Sequence, residues 1–187
     1  GVQHVDLEGL ANHRGSVFGT MSGPQPGQKA FEGAIAAAFD ACDITLPVVV
    51  EAESSKIGKL LVPPSVWAAM CQAPRIRISA PLGARAEYLS RAYIDIAHEK
   101  DRLNSTIERL RPLLGAEVVA EWQAMAGAGE LEDLARALME RHYDPRYEKS
   151  RARVNAVELA VLHTAQLTSR ALSDVAEKIA IIVKAMA

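Results

Sequence analysis

Apolar positions along the chain follow two regimes, and the change between them falls near Pro81. Before it, short apolar runs are interleaved with helical spacing. Residues 3–7 read as a short strand. The run from Leu46 to Val50 has the character of a central parallel strand buried on both faces. Between them, Gln28 to Ala41 puts Phe31, Ile35, Ala38 and Phe39 on one helical face, set against the sheet. Pro63-Pro64-Ser65 opens a helix through Met70, with proline in its tolerated place in the first turn. Arg75–Ser79 alternates as Arg-Ile-Arg-Ile-Ser and predicts a further strand, closed by Pro81. The segment 8–27, rich in Gly, Ser, Pro and Gln, reads as a long functional loop.

After Pro81 every segment reads as helix. One pair covers 84–98 and 100–114, and a second covers 116–126 and 130–142 around Gly127-Ala-Gly129. Beyond Tyr147, a stripe through Val154, Val157, Val161, Ala165, Thr168, Leu172, Val175, Ile179, Ile182 and Met186 keeps alternating three and four spacing. That stripe serves either as a packed face or as a coiled-coil seam through which the chain self-associates. Asp174 with Glu177 has the spacing of a capping box, which would divide the stripe into two helices. The expected class is α/β, a partial P-loop-type parallel sheet followed by an all-helical C-terminal subdomain. Its expected parts are 1–81, 82–150 and 151–187. About three strands are few for an open parallel sheet. The chain also enters a strand within its first residues and has no initial Met, so a fragment is expected, with an N-terminal portion upstream of Gly1.

Composition narrows this only a little. The 187 residues are 49% hydrophobic and 24% charged, ordinary for a globular protein. The net charge of −2 gives no global field that would advertise a nucleic-acid partner, so any such surface must be local. Cys42 and Cys71 lack CxxC or Cys/His spacing, and they read as buried thiols in a reduced cytosol rather than zinc ligands. No apolar run approaches the roughly 18 residues that span a membrane, and Gly1-Val-Gln-His is no signal peptide. A cytoplasmic protein with no membrane contact is expected.

Chemistry concentrates where apolar runs end in carboxylates. Ligands bind at the carboxyl ends of parallel strands in open α/β sheets. Asp6 and Glu8 end the first strand, and Glu51 and Glu53 follow the second. The first is succeeded by His13-Arg14-Gly15-Ser16 and the second by Ser54-Ser55-Lys56. Arginine offers a fork for phosphate, glycine lets backbone approach, serine donates a hydroxyl and histidine titrates near neutrality. Gln28 and Lys29 sit at a helix start, where free N–H groups and the dipole favour anions. Arg85 and Arg91 open the helix after the last strand, where phosphate-clamping arginines can stand. Arg141, His142, Tyr143, Arg146 and Tyr147 interleave cations with aromatics in a way that suits an RNA backbone and base stacking. Each has a plain structural counterpart: Asp6 as a turn cap, 51–56 as a salt-bridged loop, 140–147 as a stapled helix end.

Taken in order, Asp6–Ser16, Gln25-Pro-Gly-Gln-Lys29 with Phe31-Glu32, Glu51-Ala-Glu-Ser54 with Lys56-Ile-Gly58, and Glu140–Pro145 with Tyr147 resemble the C-terminal part of bacterial tRNA 2-selenouridine synthases. The resemblance covers roughly residues 3–150. It implies an enzyme that converts 2-thiouridine to 2-selenouridine at the wobble position of tRNAs for Lys, Glu and Gln. It implies selenophosphate and geranyl diphosphate as co-substrates, an S-geranylated intermediate, and a selenophosphate-supplying enzyme as a partner. The family combines a rhodanese-like domain carrying a reactive cysteine with a P-loop domain. No GxxxxGK[ST] motif occurs here, and neither cysteine lies in a matching motif. Alone, the chain is therefore expected to be inactive. Within this frame Asp6, His13 and Glu51 are the candidate catalytic groups. Arg14, Ser16, Gln28, Lys29, Glu53, Ser54, Lys56, Arg85 and Arg91 are the candidate substrate ligands. Arg141, His142, Tyr143, Arg146 and Tyr147 would face tRNA. No metal ligands are assigned, and a magnesium requirement is left open. Two other classes fit the same pattern: a P-loop-class small-molecule kinase or phosphotransferase, and a non-catalytic module for tRNA binding or oligomerisation.

Overall fold

The computed structural model describes residues 2–52, 54–153 and 156–186, and the chain divides by packing into two compact units. The first takes the residues up to Ile76, with 156–160 and those from Ser173 on; the second takes Arg77–Asn155 and Val161–Leu172.

In the first unit β1 (His4–Val5) pairs in parallel with β2 (Val49–Val50), His4 opposite Val49 and Val5 opposite Val50. The Gln3 side chain fixes this register from outside. Its amide donates to the carbonyls of Asp43 and Leu46 and accepts from the Asp43 N–H. Chain direction turns at once into α1 (Leu7–Ala11), because Asp6 caps it by accepting the Gly9 N–H at 2.7 Å. Asn12 closes α1 in the left-handed region at φ 48°, a conformation asparagine tolerates better than most residues. α2 (Gln28–Asp40) follows the expected helix closely, and Phe31 and Ile35 are its buried positions, one turn apart. They join Val5, Leu7, Ala11, Ile57, Leu60 and Val62 in one core, against which Trp67 and Met70 of α3 (Pro64–Gln72) pack.

Three features differ from the sequence reading. The segment after Asp6 opens with α1 rather than loop. A hairpin of β3 (Lys56–Ile57) and β4 (Leu60–Leu61) also lies where none is expected, turning on Gly58 at φ +60°. The valine run is half-buried rather than buried on both faces, since among the described residues β2 pairs with β1 alone.

In the second unit α4 (Leu82–Ala92), α5 (Ile94–His98), α6 (Lys100–Glu108), α7 (Arg111–Leu114), α8 (Ala116–Ala128) and α9 (Leu131–Leu138) follow β5 (Arg75–Ser79). α4 packs on α9, and α8 on both α6 and α9. Trp122, Ile107 and Val119 are fully buried in this unit. After α9 the backbone forms a π-helical turn, Met139–Tyr143, before α10 (Asp144–Arg153). Such turns recur at functional sites.

The segment 151–187 was expected to be helix throughout, yet it contains β6 (Glu158–His163) ahead of α11 (Ser169–Lys184). β5 and β6 form a two-stranded sheet. The Arg75 N–H donates to the Val157 carbonyl and the Thr164 N–H to that of Ser79, so the strands run the same way. Satisfying the open edge of β5 outweighs a helical spacing of apolar residues. α11 begins at Ser169, ahead of the expected Asp174 box, with the Thr168 hydroxyl accepting the Ala171 N–H. Val154 of the stripe lies outside the described residues.

Candidate functional site

The parallel register of β1 and β2 sets the two acidic strand ends side by side, because residues after paired Val5 and Val50 leave the sheet at the same edge. The Glu8 N–H, in the first turn of α1, donates to Glu51 Oε1 at 2.7 Å. Burial pushes the Glu51 carboxyl up from its ordinary value, the neighbouring Asp6 charge adds to this, and backbone N–H donors pull the other way. Burial dominates. Glu51 is thus the carboxylate of this edge best suited to exchange a proton, whereas Asp6 is exposed and occupied in part by its cap to Gly9. A Cβ on Gly9 would lie 2.3 Å from Asp6 Oδ2, so a larger residue there would make the capping carboxylate turn aside.

The loop after α1 is tightly built. The Arg14 N–H donates to the Gly19 carbonyl, the Ser16 N–H to that of Arg14 across Gly15 at φ +66°, and the Gly19 N–H to that of Ser16. His13 bridges backbone to Thr20 at its base. The residue is 7% exposed, and its Nδ1 is buried with no hydrogen-bond partner among the described residues. Burial lowers its pKa, so the imidazole is neutral near pH 7. Arg14 and Ser16 are half-buried beside it.

The remaining residues assigned to this unit divide by what holds them. Gln28 is committed to structure: its amide donates to the Leu61 carbonyl and to Glu32, and it accepts the Leu61 N–H. Ser54 is similarly engaged, donating to the Lys56 carbonyl at 2.6 Å and accepting its N–H. Lys29, in the first turn of α2, and Lys56, on β3, are exposed cations. Glu53 lies outside the described residues.

Arg85 and Arg91 belong to the second unit. Arg85 reaches Asp144 with both terminal nitrogens at 2.8 Å, a bidentate pair that holds the guanidinium charged. Its fork is therefore occupied, and its visible work is to anchor the end of the π-helical turn on α4. Arg91 pairs with Glu87 one turn away at 2.9 Å, on the exposed face of the helix. Of the five residues expected to face tRNA, Arg141 is exposed and pairs with Glu121, and Arg146 and Tyr147 are exposed on α10. His142 is not: it is 5% exposed and meets the Tyr143 ring edge-on, centroids 4.8 Å apart. The π-helical turn points it inward, which corrects its expected place on the surface. Burial first, then the Arg146 charge, lowers its pKa.

These histidines set a pH dependence. A histidine with a lowered folded pKa gives stability that is present above its ordinary value of 6.5 and lost as pH falls through the folded value. Glu51, raised from 4.5, acts oppositely in its own window, favouring the fold at lower pH. Thermal midpoints should therefore fall between pH 7.5 and about 5.5, where the histidines charge. The slope should flatten in His13→Gln and His142→Gln. Flat wild-type midpoints over that range would refute the buried neutral rings.

Among the described residues, no group of three or more His, Cys, Asp or Glu is arranged to hold a metal ion. Likewise, no helix among them is long and apolar enough to cross a membrane.

The carboxyl ends of parallel strands, where Asp6 and Glu51 stand, are where ligands bind in open α/β sheets. A family model described as the tRNA 2-selenouridine synthase AAA domain matches residues 2–173, and the chain belongs to that family. The tRNA 2-selenouridine synthase of Chromohalobacter salexigens is 34% identical over 168 residues, covering 76% of this chain and 46% of that protein. That of Hahella chejuensis is 33% identical over 76% of this chain and 45% of its own length. That of Marinobacter nauticus is 30% identical over 77% and 47%. The chain thus spans about half the length of these curated relatives. No solved structure matches it.

Proposed function

We propose that this chain forms the donor-handling part of a tRNA-modifying transferase that exchanges sulfur for selenium at wobble 2-thiouridine. The relatives' name supplies the tRNA and the selenium. The exchange runs through an S-geranylated nucleoside, with geranyl diphosphate and selenophosphate as phosphorus-containing donors. The observation that carries this reading is the paired strand edge, where the Glu8 N–H donates to Glu51 and the Glu8 carbonyl accepts the His13 N–H at the start of the following loop.

In geranyl transfer the 2-thio sulfur forms a bond to geranyl C1, the C1–O bond breaks, and pyrophosphate departs. Fixed cations and donors lower that barrier by meeting charge as it develops. Arg14, Lys29 and Lys56 supply the charge and Ser16 a hydroxyl. Neutral His13 accepts the proton lost from the thiouridine base. Asp6 and Glu51 orient the reacting groups. Arg141, Arg146 and Tyr147 engage the RNA of the Lys, Glu and Gln isoacceptors in the cytoplasm, and selenophosphate comes from a dedicated supplying enzyme.

The test is binding of the purified chain to a wobble 2-thiouridine tRNA and to an unrelated tRNA across a salt series. Selective binding that weakens with salt is expected, because neutralised phosphates release counterions. Arg141→Ala and Arg146→Ala should each reduce the salt slope by about 1. Equal or absent binding to both RNAs would refute tRNA recognition by these residues and favour a metabolite phosphotransferase.

A further inference from the structure

Three side-chain amides tie down the segments of the first unit that carry the anion-facing groups. Asn12 donates to the carbonyls of Ser22, Gly23 and Pro24, which folds the His13 loop back on itself. Gln28 joins the start of α2 to Leu61 of β4. Gln25 links the two halves. Its Nε2 donates to the Ala11 carbonyl at 3.0 Å and to the Ile57 carbonyl at 3.1 Å, and its Oε1 accepts the Lys59 N–H at 2.7 Å. All three hydrogen bonds leave one half-buried amide. Its nitrogen joins the close of α1, two residues before His13, to the hairpin at Ile57, and its oxygen holds the hairpin at Lys59.

The hairpin is shaped to receive that amide. Gly58 has φ +60°, and a Cβ there would lie 2.2 Å from Gln25 Oε1 and 2.8 Å from Cδ and Nε2. Any larger residue both strains the turn and expels the amide. The apolar core beneath does not depend on this contact. Phe31, Ile35, Ile57 and Leu60 stay buried through their own packing, and Gln28 independently bridges α2 to β4. Gln25 therefore adds register more than cohesion.

We propose that Gln25 is a positioning residue. It sets the His13–Ser16 loop against the Lys56–Lys59 hairpin so that both meet the same diphosphate donor. The proposal rests on the reading that this end of the first unit takes a phosphorylated donor. A displacement of about 1 Å at a reacting group can cost on the order of 100-fold. Gln25→Glu keeps the shape but turns the donating nitrogen into a second oxygen facing two carbonyls. Gln25→Ala removes the link, and Gly58→Ala displaces it from the other side.

The experiment pairs a spectroscopic readout with a binding one, both on the full chain. In ¹H–¹⁵N spectra, Gln25→Ala should shift the amide signals of His13–Ser16 as well as those of 57–59, leaving core amides of α2 in place. In calorimetric titrations with inorganic pyrophosphate and with geranyl diphosphate, all three variants should bind about 10- to 100-fold more weakly than wild type. The thermal midpoint of Gln25→Ala should stay near that of the parent, whereas Gly58→Ala, strained at φ +60°, should melt lower. Shifts confined to 57–59, or unchanged donor affinity, would overturn the proposal. If the wild-type chain binds neither anion, the donor reading fails, and the His13–Ser16 signals alone then decide the role of Gln25.

Discussion

Trp122→Ala should destabilise the second unit by about 3–5 kcal/mol, the range found when a large buried aromatic is truncated. A typical domain has only roughly 5–15 kcal/mol in total, so this single change consumes much of the margin. Trp122 is the largest fully buried side chain and has 0% exposure. It sits on α8, which packs on both α6 and α9, so its loss opens a void where three helices meet. Its indole Nε1 also finds no acceptor among the described residues. An unmet buried donor costs about 1–3 kcal/mol. Trp122→Phe, which gives up ring volume but removes that donor, should therefore lose far less than the alanine variant. Urea unfolding followed by circular dichroism separates the two. A loss below about 1 kcal/mol for alanine would mean that Trp122 is not central to the packing.

What the sequence revealed depended on whether the physics left a periodic trace. Phe31 and Ile35 recur at helical spacing, so α2 was legible almost to its last residue. The edge formed by Asp6 and Glu51 was also legible, because parallel strands release their carboxyl ends together. β6 was not. Its apolar residues keep a spacing that also suits a helix, and only the open edge of β5 decides between them. The β3–β4 hairpin left a short signal, a glycine between two apolar pairs, too brief to stand out. Links between distant side chains leave no trace. Arg85 and Asp144 are 59 positions apart, and Gln25 reaches the Ile57 carbonyl across 32.

The same limit explains how the candidate groups divided. Residue type nominated Gln28, Ser54 and Arg85 as ligands, and each is engaged within the protein instead, Arg85 through both terminal nitrogens. Arg14, Lys29 and Lys56 are the first-unit cations proposed for a diphosphate. The sequence named them for their charge, and the structure adds the backbone that holds them. A pinned loop meets developing charge without the reorganisation that mobile side chains would require.

His13→Ala should lower the rate of geranyl transfer by about 10²- to 10⁴-fold, the contribution of a positioned general base. Three observations bear on the size of this effect. The residue is nearly enclosed, its Nδ1 has no partner among the described residues, and burial keeps the ring neutral at physiological pH. A neutral imidazole can accept a proton, whereas a charged one cannot. The rate should accordingly rise with pH through a limb lying below the ordinary histidine value of 6.5 and then level off. His13→Gln fills much of the same space but cannot titrate, so it should lose both the rate and the limb while melting near wild type. The measurement is transfer from geranyl diphosphate to a 2-thiouridine tRNA in an active form of the protein, followed from pH 5 to 8. A rate within about threefold of wild type, or an acid limb that survives in His13→Gln, would assign the proton to another group. Glu51 would then be next in line, since its carboxyl is raised by burial at the same edge and already accepts the Glu8 N–H.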